Sequence, residues 1–176
     1  MRKLNIEMSD LEMAFDNSGE MTNYYMDIET GDVLSITDED NRLLEQLSEN
    51  YYDEETRTMD WEKAFQEETI PEWQRDMLLK ADQIEANFGR RYIALPSAEP
   101  GEGYRDMEAF ISTVRNPHLQ ERLDRAISGR GAFRYFKDVL LEYPKERERW
   151  FQFKQDRLQQ RILDWLEAEE IEISHK

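Results

Sequence analysis

Hydrophobic and polar residues alternate with a period of two near the N-terminus of the chain. Three apolar residues occupy alternate positions, the turn sequence Glu29–Asp32 follows, and Val33–Ile36 is rich in strand formers. This order predicts an antiparallel β-hairpin. A short apolar segment before Pro96 predicts a third strand, because a hairpin alone is only marginally stable in water. The alternating residues are Tyr24, Met26 and Ile28, and the third strand is predicted at Tyr92–Leu95.

Apolar residues elsewhere recur every three or four positions, which predicts amphipathic helices. Ser9 and Glu12 form a capping box that predicts a short helix, and Thr37 with Asp40 predicts the start of another. Pro71 predicts the first position of a third helix. The apolar face of this third helix is predicted to comprise Trp73, Met77, Ala81, Ile84 and Phe88.

The C-terminal part of the chain predicts four further helices. Pro117 begins the second of them, Gly129 ends it, and Pro144 begins the last, which is predicted to reach about Glu170. All four tryptophans are interpreted as core residues, with Trp150 between the apolar and basic faces of the last helix. The apolar stripes of these helices begin at Tyr104, Leu119, Ala132 and Trp150.

These elements predict an α+β protein that is mainly helical. We expect a small antiparallel N-terminal β-hairpin, of two or three strands, with a C-terminal helical bundle, and more than half of the residues in helices. The charged, irregular residues 52–60 are the best candidate for a boundary. We therefore expect a small acidic α/β-hairpin unit at residues 1–68 and a helical unit at residues 69–176, packed together as one compact domain.

Charge is distributed unevenly along the chain. The 176 residues include 40 acidic and 23 basic side chains, which gives a net charge of −17. Residues 1–114 carry −18, residues 115–161 carry +5, and residues 162–176 carry −4. The overall charge should repel nucleic acids and anionic membranes. The basic segment between two acidic ones, however, is the kind of asymmetry that can mark a surface for a partner.

The composition also limits the cellular compartments in which we expect the protein. The sequence contains no cysteine, and its apolar runs are far shorter than the roughly 20 residues that cross a bilayer. The N-terminal sequence lacks the apolar run of a signal peptide. We therefore expect a cytoplasmic protein without membrane contact, and one without disulfides or thiolate metal sites.

No familiar catalytic or cofactor-binding pattern is found in the sequence. Its two histidines, His118 and His175, lie near a helix start and in the C-terminal tail, where peripheral positions are favoured. Serine-nucleophile elbows and phosphate-binding glycine loops are absent. The acidic clusters Asp38–Asp40 and Asp53–Glu55 lack the ligand spacing of a calcium loop. We therefore predict no catalytic residue, no metal ligand and no cofactor, although a site assembled from distant residues is invisible in sequence.

The most unusual local sequence is Gly129–Lys137, a flexible basic entry into an aromatic helix. Free amides at the helix start, with Arg130 and Arg134 nearby, could hold a phosphate or carboxylate. The simpler interpretation is that the glycines end one helix and the cations occupy the solvated face of the next. The last helix adds cations at seven-residue spacing, which places them on one side. The candidate anion or partner surface comprises Arg130, Gly131, Arg134, Lys137, Arg147, Trp150, Lys154 and Arg161.

Three functional hypotheses follow. The leading one is a non-enzymatic binding or regulatory protein that acts through a protein partner or by self-association. The alternative is binding of nucleic acid or another phosphate ligand through residues 115–161, with Tyr135 or Trp150 as a stacking surface. The third is an enzyme with an unrecognised site. The basic stripe could also simply pair with the acidic first half of the chain, which would leave no free recognition surface.

Several short motifs together resemble a known family. The motifs are Ser9–Phe15, Tyr24-Tyr25, Glu29–Gly31, Arg91–Pro96, Gly129–Asp138, Trp150 and Trp165-Leu166, of which the most specific is Gly-Arg-Gly-Ala-Phe followed by Phe136–Asp138. With these motifs the sequence is similar to the bacterial Uncharacterised Protein Family 158 from about Met8 to Leu166. The resemblance implies a bacterial cytoplasmic origin. Because that family has no established activity, the resemblance implies no catalytic residues.

Overall fold

The computed structural model of the chain describes residues 1–17 and 21–174. More than half of these residues are helical, and the fold is α+β with a small antiparallel sheet, as the sequence predicts. The helices α1 to α8 span Met8–Asn17, Asp38–Tyr51, Trp61–Glu67, Glu72–Ala86, Glu102–Ile111, Pro117–Ile127, Ala132–Leu141 and Pro144–Ala168. The strands β1 to β7 span Arg2–Leu4, Thr22–Asp27, Val33–Thr37, Tyr52–Asp53, Thr58–Met59, Tyr92–Ala94 and Ile171–Ile173.

The chain folds into two compact units. The first, which we name the sheet unit, contains Met1–Ser97 and the C-terminal segment from Ile171. The second, the helical unit, is Ala98–Glu170. The boundary predicted at residues 68 and 69 falls inside the sheet unit, because α4 packs against α2. The packing of the two predicted halves into one compact domain stays a prediction.

The central sheet has the strand order β3-β2-β6, and both pairings are antiparallel. Tyr25 lies opposite Leu34 on one side and Ala94 on the other. The predicted third strand is therefore confirmed. The turn between β2 and β3 places Gly31 at a φ of +88°, where an added Cβ would lie 2.6 Å from the carbonyl oxygen of Asn5. A side chain would be strained there by its backbone conformation and by this contact.

A buried aspartate holds the β2–β3 turn to the third strand. Asp27 is 4% exposed. Its Oδ2 accepts hydrogen bonds from Nε and Nη2 of Arg91, at 3.0 and 2.7 Å, and its Oδ1 accepts one from the backbone N–H of Glu29. Burial opposes ionisation of this carboxyl, but the Arg91 hydrogen bonds, the Glu29 hydrogen bond and the Arg91 charge outweigh burial and lower the pKa of Asp27.

The hydrophobic core of the sheet unit includes the inner faces of α2 and α4. In α4 the buried residues are Leu78, Ala81 and Ile84. The predicted apolar face was wrong at its two ends, since Trp73 is 67% exposed and Phe88 is 57% exposed. The helix carries two neighbouring apolar stripes, and packing against α2 selects the one that contains Leu78. Trp73 is therefore not a core residue, contrary to the interpretation of all four tryptophans as core.

Two strand pairs were not predicted from the sequence. β1 pairs with β7 in parallel, with Lys3 opposite Glu172. β4 and β5 form a two-residue hairpin within the segment predicted to be irregular. The strands in both pairs are too short to show alternation, and parallel pairing joins segments far apart in sequence.

Helix starts agree with the sequence in most cases. The Thr37 hydroxyl accepts a hydrogen bond from the N–H of Asp40 and donates one to its carboxylate, which confirms that cap. Pro117 and Pro144 begin α6 and α8. Pro71 directly precedes α4. The predicted cap at Ser9 was wrong, because α1 begins one residue earlier and Ser9 lies within its first turn.

The helical unit is built from α5 to α8 around an aromatic cluster. Phe136 lies 4.8 Å from Trp150 and 6.1 Å from Phe110, measured between ring centroids, and all three rings meet edge to face. These geometries add to the burial energy of large rings. The Tyr104 hydroxyl donates a hydrogen bond to the Ile127 carbonyl, which ties α5 to the end of α6. In the part of the chain that the structure describes, no helix combines the length and apolar character needed to cross a bilayer.

Candidate binding surface on helix α7

Helix α7 is held on the helical unit by one apolar face. Phe136 and Leu140 on this face are each 1% exposed and pack into the aromatic cluster. The helix starts after Gly131, whose φ of +74° is the left-handed conformation that glycine adopts without strain. The chain can therefore turn sharply after α6 and present the opposite face of α7 to solvent.

The outward side of α7 and the residue before its cap combine exposed cations with exposed large apolar side chains. Among residues 1–17 and 21–174, no carboxylate forms an ion pair with Arg130, Arg134 or Lys137. Three apolar side chains beside them are more than half exposed, at 53%, 55% and 59%. We name this set the α7 surface; it comprises Arg130, Phe133, Arg134, Tyr135, Lys137 and Leu141.

Two glycines position the aromatic residues of the α7 surface. The ring of Phe133 lies so close to Gly103 in α5 that a Cβ there would be 2.9 Å from the ring. Tyr135 lies over Gly131 in the same way, at 3.2 Å from an added Cβ. Because side chains at these glycines would displace the rings, the aromatic residues are supported from beneath while they remain exposed.

A shallow cleft of about 480 Å³ runs along the side of α7 that faces α6. Its cations are already paired: Arg125 contacts Glu121 at 2.9 Å, and Arg122 pairs with Glu142. The Glu142 hydrogen bond raises the pKa of Arg122 above its usual range. Arg122 and Arg125 beside the cleft therefore form ion pairs within the helical unit, in contrast to the cations of the α7 surface. The cleft is lined by Arg122, Arg125, Ala126, Tyr135, Asp138, Val139 and Glu142.

The predicted surface extended along α8 to Arg161, and the structure corrects this part. Arg161 contacts Glu102 at 3.0 Å and Asp106 at 3.3 Å, and Arg157 contacts Asp106 at 2.6 Å. Asp106 is only 3% exposed. Arg157 and Arg161 therefore neutralise a buried carboxylate of α5 and fasten α8 to it, which removes Arg161 from any recognition surface.

Trp150 is a core residue, as its place on the apolar face of the last helix predicts, and it does not belong to the candidate surface. It is 5% exposed and belongs to the aromatic cluster, so it offers no surface on which a base could stack. Lys154 is exposed, and so is Arg147, whose guanidinium lies 5.1 Å from the ring centroid of Phe151. The structure thus keeps Arg147 and Lys154 on the outside of α8 and places Trp150 inside.

The remaining candidates for chemistry are isolated. His118 is exposed at the start of α6, where its backbone N–H donates to the side chain of Asn116. His175 lies outside the described residues. Within residues 1–17 and 21–174, no three histidine, aspartate or glutamate side chains are grouped as metal ligands.

Sequence reasoning missed a cleft of about 610 Å³ in the sheet unit. One wall is a stripe of α2 in which Asn41, Glu45 and Ser48 follow one another at spacings of four and three. That spacing is visible in the sequence, but it gives no indication that α4 and the β4–β5 hairpin supply the opposite walls. The cleft depends on tertiary packing that one sequence does not show.

Comparison with known proteins identifies the family of the chain. A family model described as Uncharacterised protein family (UPF0158) matches residues 74–176. The chain belongs to the UPF0158 family. The match confirms the resemblance seen in the motifs, and it includes the whole α7 surface. A curated relative, the UPF0158 protein PA5073 of Pseudomonas aeruginosa, is 26% identical over 172 residues, which cover 98% of this chain and 88% of the relative. No solved structure matches the chain.

Proposed function

We propose that this UPF0158 protein is a binding protein whose α7 surface engages a protein partner. One observation carries the proposal: three cations without ion pairs among the described residues lie beside three half-exposed apolar side chains on a firmly packed helix. Arginine and tyrosine are enriched in protein interfaces because they combine large contact area with directional hydrogen bonds. A rigid helix also loses little conformational freedom when a partner binds.

The side chains of the α7 surface indicate which kind of partner it would bind. Arg130, Arg134 and Lys137 favour a segment that carries carboxylates, and the exposed rings favour apolar side chains between those carboxylates. Nucleic acid is disfavoured by the net charge of −17. The pairing of Arg157 and Arg161 with Asp106 further reduces the number of cations that could contact phosphates. The proposed partner is thus an acidic, partly apolar protein segment.

Photocrosslinking can identify such a partner. A photoreactive amino acid would replace Tyr135 in the full chain, and the crosslinked protein would be isolated and identified by mass spectrometry. The purified partner would then be titrated against the wild type and against the triple variant Arg130→Ala, Arg134→Ala and Lys137→Ala. We expect the dissociation constant to rise at least about tenfold, since three charge contacts are lost.

Arg125→Ala is the matched control, because its guanidinium is already paired with Glu121. This variant should bind the partner within about twofold of the wild type. Unchanged affinity of the triple variant, with an unchanged circular dichroism spectrum, would remove the α7 surface from the interaction and overturn the proposal.

The nucleic-acid alternative makes a different prediction from the same exposed cations and Tyr135. Labelled single-stranded RNA and DNA would bind the wild type at 20 mM salt and dissociate steeply as salt increases, because phosphate contacts release counterions. Binding of this kind, lost in the triple variant, would replace the protein-partner proposal. Absence of binding at 20 mM salt would dismiss the alternative.

A further inference from the structure

The cleft in the sheet unit lies between α2, α4 and the β4–β5 hairpin. Its volume of about 610 Å³ falls within the roughly 300–1,000 Å³ of ligand-binding clefts. A second depression of about 390 Å³ shares Asn41 and Glu85 with it and continues toward Phe88. Together they form one groove, which we name the acidic groove. The larger part is lined by Asn41, Leu44, Glu45, Ser48, Tyr52, Arg57, Met59, Asp82, Glu85 and Ala86.

The acidic groove carries carboxylates that have no cation of their own. Glu45 and Glu85 are exposed, and neither forms an ion pair in the described part of the chain. The third carboxylate, Asp82, accepts a hydrogen bond of 2.8 Å from the indole N–H of Trp61. Arg57 is the one cation among the lining residues of the larger part. The groove therefore retains an excess of negative charge.

Apolar surface accompanies these carboxylates. Leu44 forms part of the floor and is 5% exposed, whereas Tyr52 at the rim is 45% exposed. At the other end, Phe88 is 57% exposed and meets Tyr25 edge to face at 6.3 Å. Exposed rings beside free carboxylates suit an occupant that presents cations beside large apolar side chains.

The α7 surface has this complementary chemistry. We infer that the acidic groove of one copy of the chain receives the α7 surface of a second copy. The inference rests on the proposed function of the α7 surface and names its partner. Arg134 and Lys137 would approach Glu45 and Glu85, and the exposed α7 side chains would cover the apolar parts of the groove. Because two different surfaces meet, the association is head-to-tail and extends into chains or closes into rings.

Sedimentation velocity of the full-length protein tests this inference with two charge-reversed variants. One carries Glu45→Lys and Glu85→Lys, and the other carries Arg134→Glu and Lys137→Glu. The wild type should form larger species as its concentration rises at 50 mM salt, and fewer of them at 500 mM salt. Each variant alone should be monomeric, because like charges then face each other at every contact.

An equimolar mixture of the two variants gives the decisive result. The intact α7 surface of the first variant matches the intact groove of the second, and the two reversed surfaces also match each other. The mixture should therefore form complexes at concentrations where each variant alone is monomeric. The variant Glu49→Lys with Glu62→Lys changes the net charge by the same amount at exposed positions outside the groove. It should associate like the wild type.

Three outcomes would overturn the inference: a wild type that is monomeric at high concentration and 50 mM salt, variants that still associate alone, or a mixture of folded variants that stays monomeric. The proposed function would survive each of them if the triple alanine variant still weakened a partner captured through Tyr135. Conversely, unchanged affinity of the triple alanine variant for its captured partner, together with association between copies that α7 variants leave unaffected, would overturn both.

Discussion

The two units of this protein each contain a buried aspartate–arginine ion pair, but they differ in their balance of acidic and basic residues. Each buries one aspartate against arginine: Asp27 with Arg91 in the sheet unit, and Asp106 with Arg157 and Arg161 in the helical unit. The sheet unit contains 25 acidic and 10 basic residues, and the helical unit contains 15 and 13. The sheet unit thus carries a large excess of acidic residues. In the helical unit, acidic and basic residues nearly balance, and the α7 surface combines cations that form no ion pair among the described residues with exposed apolar side chains.

This comparison teaches that a basic stretch in a sequence is a poor measure of basic surface. Residues 115–161 carry +5, yet Arg157 and Arg161 are committed to Asp106 and Arg122 to Glu142. What distinguishes the α7 surface is that cations without ion pairs among the described residues lie on the same short helix as three large apolar side chains that are more than half exposed. The predictions that follow separate side chains that hold a unit together from side chains that are free to bind.

The largest expected effect concerns the aromatic cluster. Trp150→Ala should lower the free energy of unfolding of the helical unit by about 3–5 kcal/mol, because it removes a buried ring and leaves a cavity. Trp73→Ala is the matched control and should change stability by less than about 0.5 kcal/mol, since Trp73 is 67% exposed. Urea denaturation followed by circular dichroism measures both. Similar losses of unfolding free energy in the two variants would contradict the assignment of Trp150 to the core and of Trp73 to the surface.

A smaller loss is expected from the buried carboxylate of the helical unit. Asp106→Ala should cost about 2–4 kcal/mol, because Arg157 and Arg161 lose the acceptor that they share. The loss should lie toward the lower end, since both arginines are partly exposed and can regain water. Glu99→Ala removes a partner of exposed Arg105 and should cost no more than about 1 kcal/mol. If denaturation gave equal costs for the two variants, Asp106 would not act as a fastening point.

Much of this fold is predicted by local pattern. The alternation around Tyr24, the Thr37 cap and the proline at position 144 each depend on neighbours in sequence, and the structure has the elements that they predict. The α7 segment was selected for its composition, and the structure gives it an exposed basic face.

The rest depends on contacts between distant residues. The pairing of β1 with β7 joins segments at opposite ends of the chain. The exposure of Trp73 reflects which of two possible stripes of α4 finds a neighbour. Likewise, the pairing of Arg161 with Asp106 spans 55 residues and cannot be read from helical spacing.

The buried ion pair of Asp27 with Arg91 in the sheet unit predicts that the stability of the protein depends on pH. The pKa of Asp27 is lower in the folded chain than its ordinary value. The folded state therefore binds fewer protons, and the stability that Asp27 contributes is present above the unfolded pKa and lost as pH falls through the folded pKa. Stability of the wild type should decrease between about pH 5 and pH 2, and Asp27→Asn should show a smaller decrease over that range.

Urea midpoints measured across this range test the dependence. Asp76→Asn is the control, because Asp76 is exposed on α4 and forms no ion pair within residues 1–17 and 21–174. Its midpoints should follow the shape of the wild-type curve. An equally steep acid transition in Asp27→Asn and wild type would show that other carboxylates dominate the unfolding.

The smallest expected effect belongs to the α7 surface itself. Arg134→Ala and Lys137→Ala should each change the free energy of unfolding by less than about 0.5 kcal/mol, because neither side chain has an ionic partner among the described residues. Arg125→Ala, which breaks an exposed pair with Glu121 one helical turn away, should cost about 0.3–0.5 kcal/mol at low salt and less at high salt. Near-zero costs at positions 134 and 137 mean that these cations contribute little to folding, so their removal changes binding alone. A loss above about 1 kcal/mol at either position would instead assign the cation to the helical unit, as with Arg157, and the α7 surface would lose the feature that distinguishes it.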